Sequence, residues 1–183
     1  DAAKFQEMNA AYREGFPEAP PARATVRCDL MSPDYLVEIT MLAVKGQART
    51  VVAPEAQPAG VKPPASRSPL SPAIPEGARL FVYGMLGSAP DNRGDAGAQT
   101  AATLSRIEDT LKAAGFTWAD VVDSVVYLTD LGAFGAMNAA YRQVFASTPP
   151  PARATVEAGL MGSDALVEIM VTAIKGEKRY PGR

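Results

Sequence analysis

The chain has 183 residues and a net charge of −2, and 47% of its residues are apolar and 21% charged. This balance is ordinary for a globular protein of one or two domains and offers no basic surface for nucleic acid or an anionic membrane. The sequence contains no histidine, which excludes Ser-His-Asp and Cys-His nucleophile systems and the common histidine-based metal sites. The single cysteine, Cys28, has no partner within the chain, so we expect a reducing compartment, the cytoplasm.

An internal repeat organises the chain. The heptapeptide PPARATV occurs at residues 20–26 and again at 150–156, and residues 21–46 align without a gap to 151–176, with 16 of 26 positions identical. A preceding helix-like stretch repeats after a one-residue shift. Its matched pairs are Phe5 and Phe134, Met8 and Met137, Asn9 and Asn138, Tyr12 and Tyr141, and Phe16 and Phe145. The sequence is therefore interpreted as a tandem duplication.

The two repeats differ in extent. Residues 1–46 match only the C-terminal half of a unit, whereas residues 68–177 form a complete one. A proline-rich linker is predicted over 47–67, and residues 178–183 form a tail. We expect the first unit to be completed by an upstream segment similar to residues 66–129 or by a separate companion chain, and the sequence does not choose between them.

The complete unit predicts alternating strands and helices. A strand at 79–86 precedes a helix at about 98–114, with Gly115 placed as its C-terminal cap. An apolar strand follows at 120–129, and Asp130 is placed as the N-cap of a second helix. The fold class is therefore α+β, with two helices on one face of a mixed sheet.

Two more strands, 152–160 and 165–173, are predicted to pair as an antiparallel hairpin around a turn. Alternation then puts Arg153, Thr155, Leu166, Glu168 and Met170 together on the sheet face away from the helices. This face is neither fully apolar nor fully polar, so we expect another subunit to cover it.

Arg153 and Glu168 lie fifteen residues apart, and Arg23 and Glu38 repeat that spacing. An arginine fork suits a planar carboxylate, and a nearby glutamate can position or deprotonate water. The pair would then serve hydrolysis of a small carboxylate-bearing substrate. A cross-strand ion pair or two exposed charges explain the same spacing equally well.

Other residues carry weaker expectations. Asn9 and Asn138 are candidates for ligand contact or for packing and capping. Cys28 aligns with Ala158 on the apolar face and is expected in the core. No phosphate loop and no metal-ligand cluster is found in the sequence.

The strings LFVYGMLG, PPARATV and LVEIMVTAIKG, together with residues 99–145, resemble the Rid family of reactive intermediate deaminases, the YjgF-like proteins. The resemblance covers residues 68–177 as one domain and 1–46 as half of another. It implies a chorismate-mutase-like fold, a trimeric ring, and ligand clefts between neighbouring domains. It also implies hydrolysis of enamines and imines such as 2-aminoacrylate to 2-oxo acids and ammonia, without metal or cofactor.

By motif position, the resemblance makes Arg153 the carboxylate-binding arginine and Glu168 the acid that positions water, with Arg23 and Glu38 as their equivalents. It places Gly84 and Asn138 at the cleft. Three positions depart from the family pattern: Tyr83 replaces a serine, Leu70 a frequent tyrosine, and Thr155 a frequent cysteine. These changes alter the size and polarity of the cleft and therefore bear on the substrate.

Two alternatives to a deaminase remain open. The first is a binding or sensing module of the same fold that holds a small carboxylate without turnover. The second is a ribonuclease, against which the negative net charge and the absence of histidine both argue.

Overall fold

The computed structural model describes residues 2–45, 49–52 and 69–176. Three α-helices lie in these ranges: α1 (Phe5–Gly15), α2 (Ala96–Ala113) and α3 (Phe134–Val144). The strands are β1 (Val26–Arg27), β2 (Ala73–Glu76), β3 (Arg79–Leu86), β4 (Val121–Leu128), β5 (Ala152–Glu157), β6 (Gly159–Leu160) and β7 (Val167–Ile174). Most of the predicted linker and all of the predicted tail fall outside the described residues.

The complete domain is built on a five-stranded sheet of order β2-β3-β7-β4-β5. Only β4 and β5 run parallel, and the other neighbours are antiparallel. The predicted hairpin of the last two strands is therefore wrong, because β4 lies between β5 and β7. The apolar content of β7 explains its central position: a strand buried on both faces is most stable between two neighbours.

Helices α2 and α3 cover one face of the sheet, and their apolar residues meet those of the strands. The fully buried members of this core include Leu80, Leu104, Ile107, Leu111, Leu128, Met137 and Ile169. The predicted cap at Gly115 is confirmed by its φ of +72°, which favours glycine. Asp130 caps the 3-10 turn Leu131–Ala133 that leads into α3: its Oδ1 accepts from the Gly132 N–H at 2.7 Å, and the N-cap of α3 itself is Ala133. None of the helices in the described ranges is long and apolar enough to cross a bilayer.

Residues 20–27 of the first repeat lie against the complete domain. The Gly84 N–H donates to the Arg23 carbonyl at 3.3 Å, and the Ser71 N–H donates to the Pro21 carbonyl at 3.2 Å. Strand β1 then pairs antiparallel with β6. The segment that carries the first PPARATV is thus held by backbone hydrogen bonds at both ends.

The rest of the half-repeat departs from the sequence expectation. Residues 35–44, the counterpart of β7 and its approach, form no strand and are exposed. Cys28 was expected in the core and is exposed instead. Its aligned residue Ala158 is buried because Ala158 follows β5 and bonds to Leu128, whereas Cys28 follows β1 outside the five-stranded sheet.

Candidate functional site

Within this chain, the sheet separates Arg153 from Glu168. Arg153 pairs in register with Ser124, and both side chains bond to α3, so Arg153 faces the helices. Glu168 pairs with Tyr127, three residues along β4 from Ser124, and therefore points to the opposite face. The expectation that Arg153 and Glu168 share a face on adjoining strands is wrong. Strand β4 lies between β5 and β7, and the residues of β4 that pair with Arg153 and with Glu168 point to opposite faces of the sheet.

Glu168 lies on the open face of the sheet, where the first repeat covers it. Its residue is only 4% exposed, and its carboxylate lies against Gly84. A β-bulge between Val82 and Met85 shifts the register of β3 at this point. A β-bulge re-aims the backbone beside it, and here the Gly84 N–H donates to Arg23 rather than to β7.

Burial sets the protonation of Glu168. Removal from water raises the pKa of its carboxyl to about 7, and a hydrogen bond from the Thr25 backbone and the charge of Arg23 both oppose that rise. Two of these three influences come from the first repeat. At neutral pH the carboxyl is therefore poised between its acid and base forms.

Arg23 extends from the docked segment towards α1. Its Nη2 donates to Asn9 Oδ1 at 2.8 Å, and its guanidinium lies 4.7 Å from the centre of the Tyr12 ring. Burial lowers the pKa of Arg23, and the charge of Glu168 acts in the opposite direction. Docking of residues 20–27 thus brings Arg23 and Glu168 within electrostatic reach of each other.

Arg153 repeats the local arrangement of Arg23. It donates to Asn138 Oδ1 at 2.9 Å and lies 4.5 Å from the centre of the Tyr141 ring. The two asparagines therefore hold the arginines in place, which is the packing role that the sequence left open. Arg153 lies on β5, which is an edge strand of the described sheet.

The remaining predicted site residues are dispersed. Tyr83 is partly buried and packs against the core. The Thr155 hydroxyl is buried and has no hydrogen-bond partner among the described residues. Glu38 is exposed in the irregular part of the half-repeat, outside the segment 20–27 that docks on the complete domain.

Sequence reasoning missed Tyr127, which is next to Glu168. The two residues are register partners on β4 and β7, and burial followed by the charge of Glu168 raises the pKa of the Tyr127 phenol. Its hydroxyl lies 3.9 Å from Met170 Sδ. The strand pairing that reveals Tyr127 was available only from the structure, since the sequence predicted a different neighbour for β7.

Replacing Gly84 with alanine is expected to disrupt the cleft. A Cβ at this position would lie 1.9 Å from Glu168 Oε1 and 2.8 Å from the Ala24 Cβ, so the carboxylate or the docked segment must move. We expect a loss of stability of about 1–3 kcal/mol, measured by urea unfolding. Gly135→Ala in α3 is the control: its Cβ would meet nothing within 4 Å, so stability should stay the same or rise by up to about 1 kcal/mol, since alanine favours a helix over glycine. An unchanged stability in Gly84→Ala would contradict the described packing.

The raised pKa of Glu168 predicts that stability depends on pH. The folded state keeps this proton up to about pH 7, whereas a free carboxyl loses it near pH 4.5. Between these values the folded chain binds more protons, so the free energy of unfolding falls as pH rises, by up to about 3 kcal/mol from this group. Urea unfolding at pH 5 and pH 8 should show a steeper fall in the wild type than in Glu168→Gln. Equal falls would contradict the assignment.

The comparisons agree with this architecture. The family model described as endoribonuclease L-PSP matches residues 1–45 and 61–175. A RutC family protein of Sulfurisphaera tokodaii is 39% identical over 119 residues, which cover 63% of this chain and 94% of that protein. Among solved structures, the YjgF family member NMB1025 of Neisseria meningitidis is 37% identical with a TM-score of 0.53, covering 59% of this chain and 88% of that one.

A second solved structure, YyfA of the Rid family from Yersinia pestis, is 30% identical with a TM-score of 0.59, covering 69% of this chain and 99% of that one. The fold is thus an α+β domain with helices on one face of a mixed sheet and a second polypeptide segment on the other. The chain belongs to the endoribonuclease L-PSP family, whose members include the YjgF, RutC and Rid proteins. The expected family and fold class are confirmed.

Proposed function

We propose that this chain hydrolyses small enamines and imines that carry a carboxylate, such as 2-aminoacrylate, to 2-oxo acids and ammonia without a cofactor. The observation that supports the proposal most strongly is the docking of Arg23, from the half-repeat, beside Glu168 and Gly84 of the complete domain. An anion-binding fork and a glutamate poised near neutral pH then serve one cleft. We place the reaction in the cytoplasm, as the lone cysteine led us to expect.

Arg23 is suited to hold the substrate carboxylate. Asn9 and Tyr12 fix the guanidinium, and its only other hydrogen-bond partner among the described residues is Met8, whose Sδ lies 3.8 Å from Nη1. Its Nε–H has no acceptor among the described residues. A thioether is a weak acceptor, so a carboxylate would gain charge-assisted hydrogen bonds here with little competition.

Glu168 is suited to handle the proton and the water. The enamine accepts a proton at its terminal carbon and becomes the iminium, and water then adds to the C=N carbon. The resulting carbinolamine releases ammonia as the C–N bond breaks and the C=O bond forms. A carboxyl with a pKa of about 7 can donate the first proton and, once ionised, accept one from the attacking water.

The site requires one chain only, because the half-repeat contributes the arginine and the complete domain contributes the glutamate. Association of several copies into a ring, expected from the family resemblance, is therefore not needed for this cleft to form. In this proposal Arg153 is an arginine of the same type, held by Asn138 on the helix face of the sheet and therefore not placed beside Glu168.

The proposal is tested by generating 2-aminoacrylate in situ with a serine dehydratase and measuring ammonia release with and without the chain. We expect release to be accelerated in proportion to chain concentration. If 2-oxo acids stabilise the chain against heat and ammonia release stays at the spontaneous rate, the non-catalytic carboxylate-binding module is the correct reading. If neither effect is seen, the Arg23 cleft does not recognise carboxylates.

A further inference from the structure

Eight large apolar side chains are exposed along one stretch of the half-repeat and its approach. They are Met31, Tyr35, Leu36, Val37, Ile39, Met41, Leu42 and Val44. Three of them, at positions 35–37, precede Glu38 directly and Ile39 follows it, and Leu42 is 72% exposed. A contiguous apolar patch of this kind on a folded protein marks an interaction surface.

The second repeat shows how the same residues behave when they are covered. The string LVEI begins at both Leu36 and Leu166, and in the complete domain it leads into and starts β7, the central strand between β3 and β4. Val167 and Ile169 are fully buried there, whereas their counterparts Val37 and Ile39 are 51% and 54% exposed. The first repeat thus carries the sequence of a central strand, but residues 36–44 have no neighbouring strands in the described part of the chain and form no strand themselves.

The half-repeat also keeps an unfilled space beside this stretch. A groove of about 450 Å³ lies between α1 and residues 36–41 and is mainly apolar. Met8 and Tyr12 line it on the α1 side, and Leu36, Val37, Ile39 and Met41 line it on the other. Met8 is only half-buried beside this groove, whereas its counterpart Met137 is fully buried in the complete domain, where α2 packs against α3.

We propose that this groove and the 36–44 stretch receive a half-domain of the same family: two antiparallel strands, an amphipathic helix and a following strand, equivalent to residues 73–128. Its second and third strands, the equivalents of β3 and β4, would pair with residues 36–44 from opposite sides. Its helix, the equivalent of α2, would fill the groove against α1. The new interface would continue an existing one, since β1 already pairs with β6 and leads directly into the exposed stretch. This inference does not rest on the proposed function.

One consequence follows for the site residues. In the completed half, Glu38 would occupy a central strand as Glu168 does, beside the counterpart of Gly84. The completed half would then present, around Glu38, a surface of the same kind as the one around Glu168 on which Arg23 docks. The β5 edge that carries Arg153 would be able to dock on that surface.

The test is a fusion in which a copy of residues 69–129 is joined directly before Asp1, which reproduces the order of the second repeat. Hydrogen exchange of residues 36–44 is measured in the fused chain and in the unmodified chain. We expect these amides to become protected by at least about 100-fold, as in a central strand.

Two variants make the result specific. Ile39→Asp in the fused chain should abolish the protection, while Val51→Asp, at an exposed apolar residue outside the stretch, should leave it intact. Both positions are exposed, so the complete domain should stay folded in either variant. The proposal is overturned if 36–44 exchanges equally fast with the fused unit present. It is also overturned if the unmodified chain protects 36–44 by concentration-dependent self-association, because a second copy would then be the occupant.

Discussion

Arg23→Ala should lower kcat/KM for 2-aminoacrylate hydrolysis at least about 100-fold, because a hydrogen bond to a charged group contributes about 1.5–3 kcal/mol and a fork makes two. Arg153→Ala should leave the value nearly unchanged. The two arginines are well matched: each donates to an asparagine, at 2.8 and 2.9 Å, and each lies over a tyrosine ring. They differ in that Arg23 belongs to the segment docked beside Glu168.

Arg23→Lys separates charge from geometry in the same assay. Lysine keeps the positive charge but lacks the fork, so we expect most of the loss to persist and to appear mainly in KM. Thermal unfolding serves as the folding control, since residues 20–27 are held by backbone bonds that these changes leave in place. Loss of activity in Arg153→Ala with retention in Arg23→Ala would reverse the assignment of the two arginines.

Glu168→Gln should lower kcat by about 100- to 10,000-fold, the usual contribution of a positioned acid or base. The amide keeps the shape of the carboxyl, so KM should change little. In the wild type kcat/KM for 2-aminoacrylate should fall as pH rises through about 7, because the protonated carboxyl is the form that donates the first proton to the enamine. The residual activity of Glu168→Gln should lack this step.

The pH profile of kcat/KM distinguishes this role from a merely structural one. A variant that had only lost packing would keep the wild-type profile at reduced amplitude. An unchanged kcat in Glu168→Gln, with the step near pH 7 still present, would assign the titration to another group. Tyr127 would then be the first residue to examine, because it is the register partner of Glu168.

Local pattern was sufficient to predict most of the complete domain. The strand over Arg79–Leu86 and the helices followed from periodicity, and Gly115 and Asp130 were identified as caps because cap chemistry is local. The four-residue strand Ala73–Glu76 was missed because it contains a proline and is too short to show alternation. Strand order was not predictable in the same way, since the pairing of β7 with β3 and β4 is decided by burial across the whole domain.

For the candidate site as well, the residues could be predicted from the sequence, but their arrangement in space could not. The repeat singled out Arg23, Arg153, Glu38 and Glu168 as residues of interest, and the family resemblance gave them roles. The combination of one arginine from the first repeat with the glutamate of the second was not predicted. It depends on the contact of residues 20–27 with Gly84 and β6, which joins segments about sixty to one hundred and thirty residues apart in sequence.

The central claim is that one chain supplies both halves of the cleft, and mixing two inactive variants tests it most directly. Arg23→Ala and Glu168→Gln chains are prepared separately, combined at equal concentration, incubated and assayed for ammonia release from 2-aminoacrylate. Each variant has a defect in one half of its own site and cannot use the intact half of another copy. The mixture should therefore be no more active than either variant alone. Recovery of a substantial fraction of wild-type turnover on mixing would show that the arginine and the glutamate come from different copies, and would contradict the account.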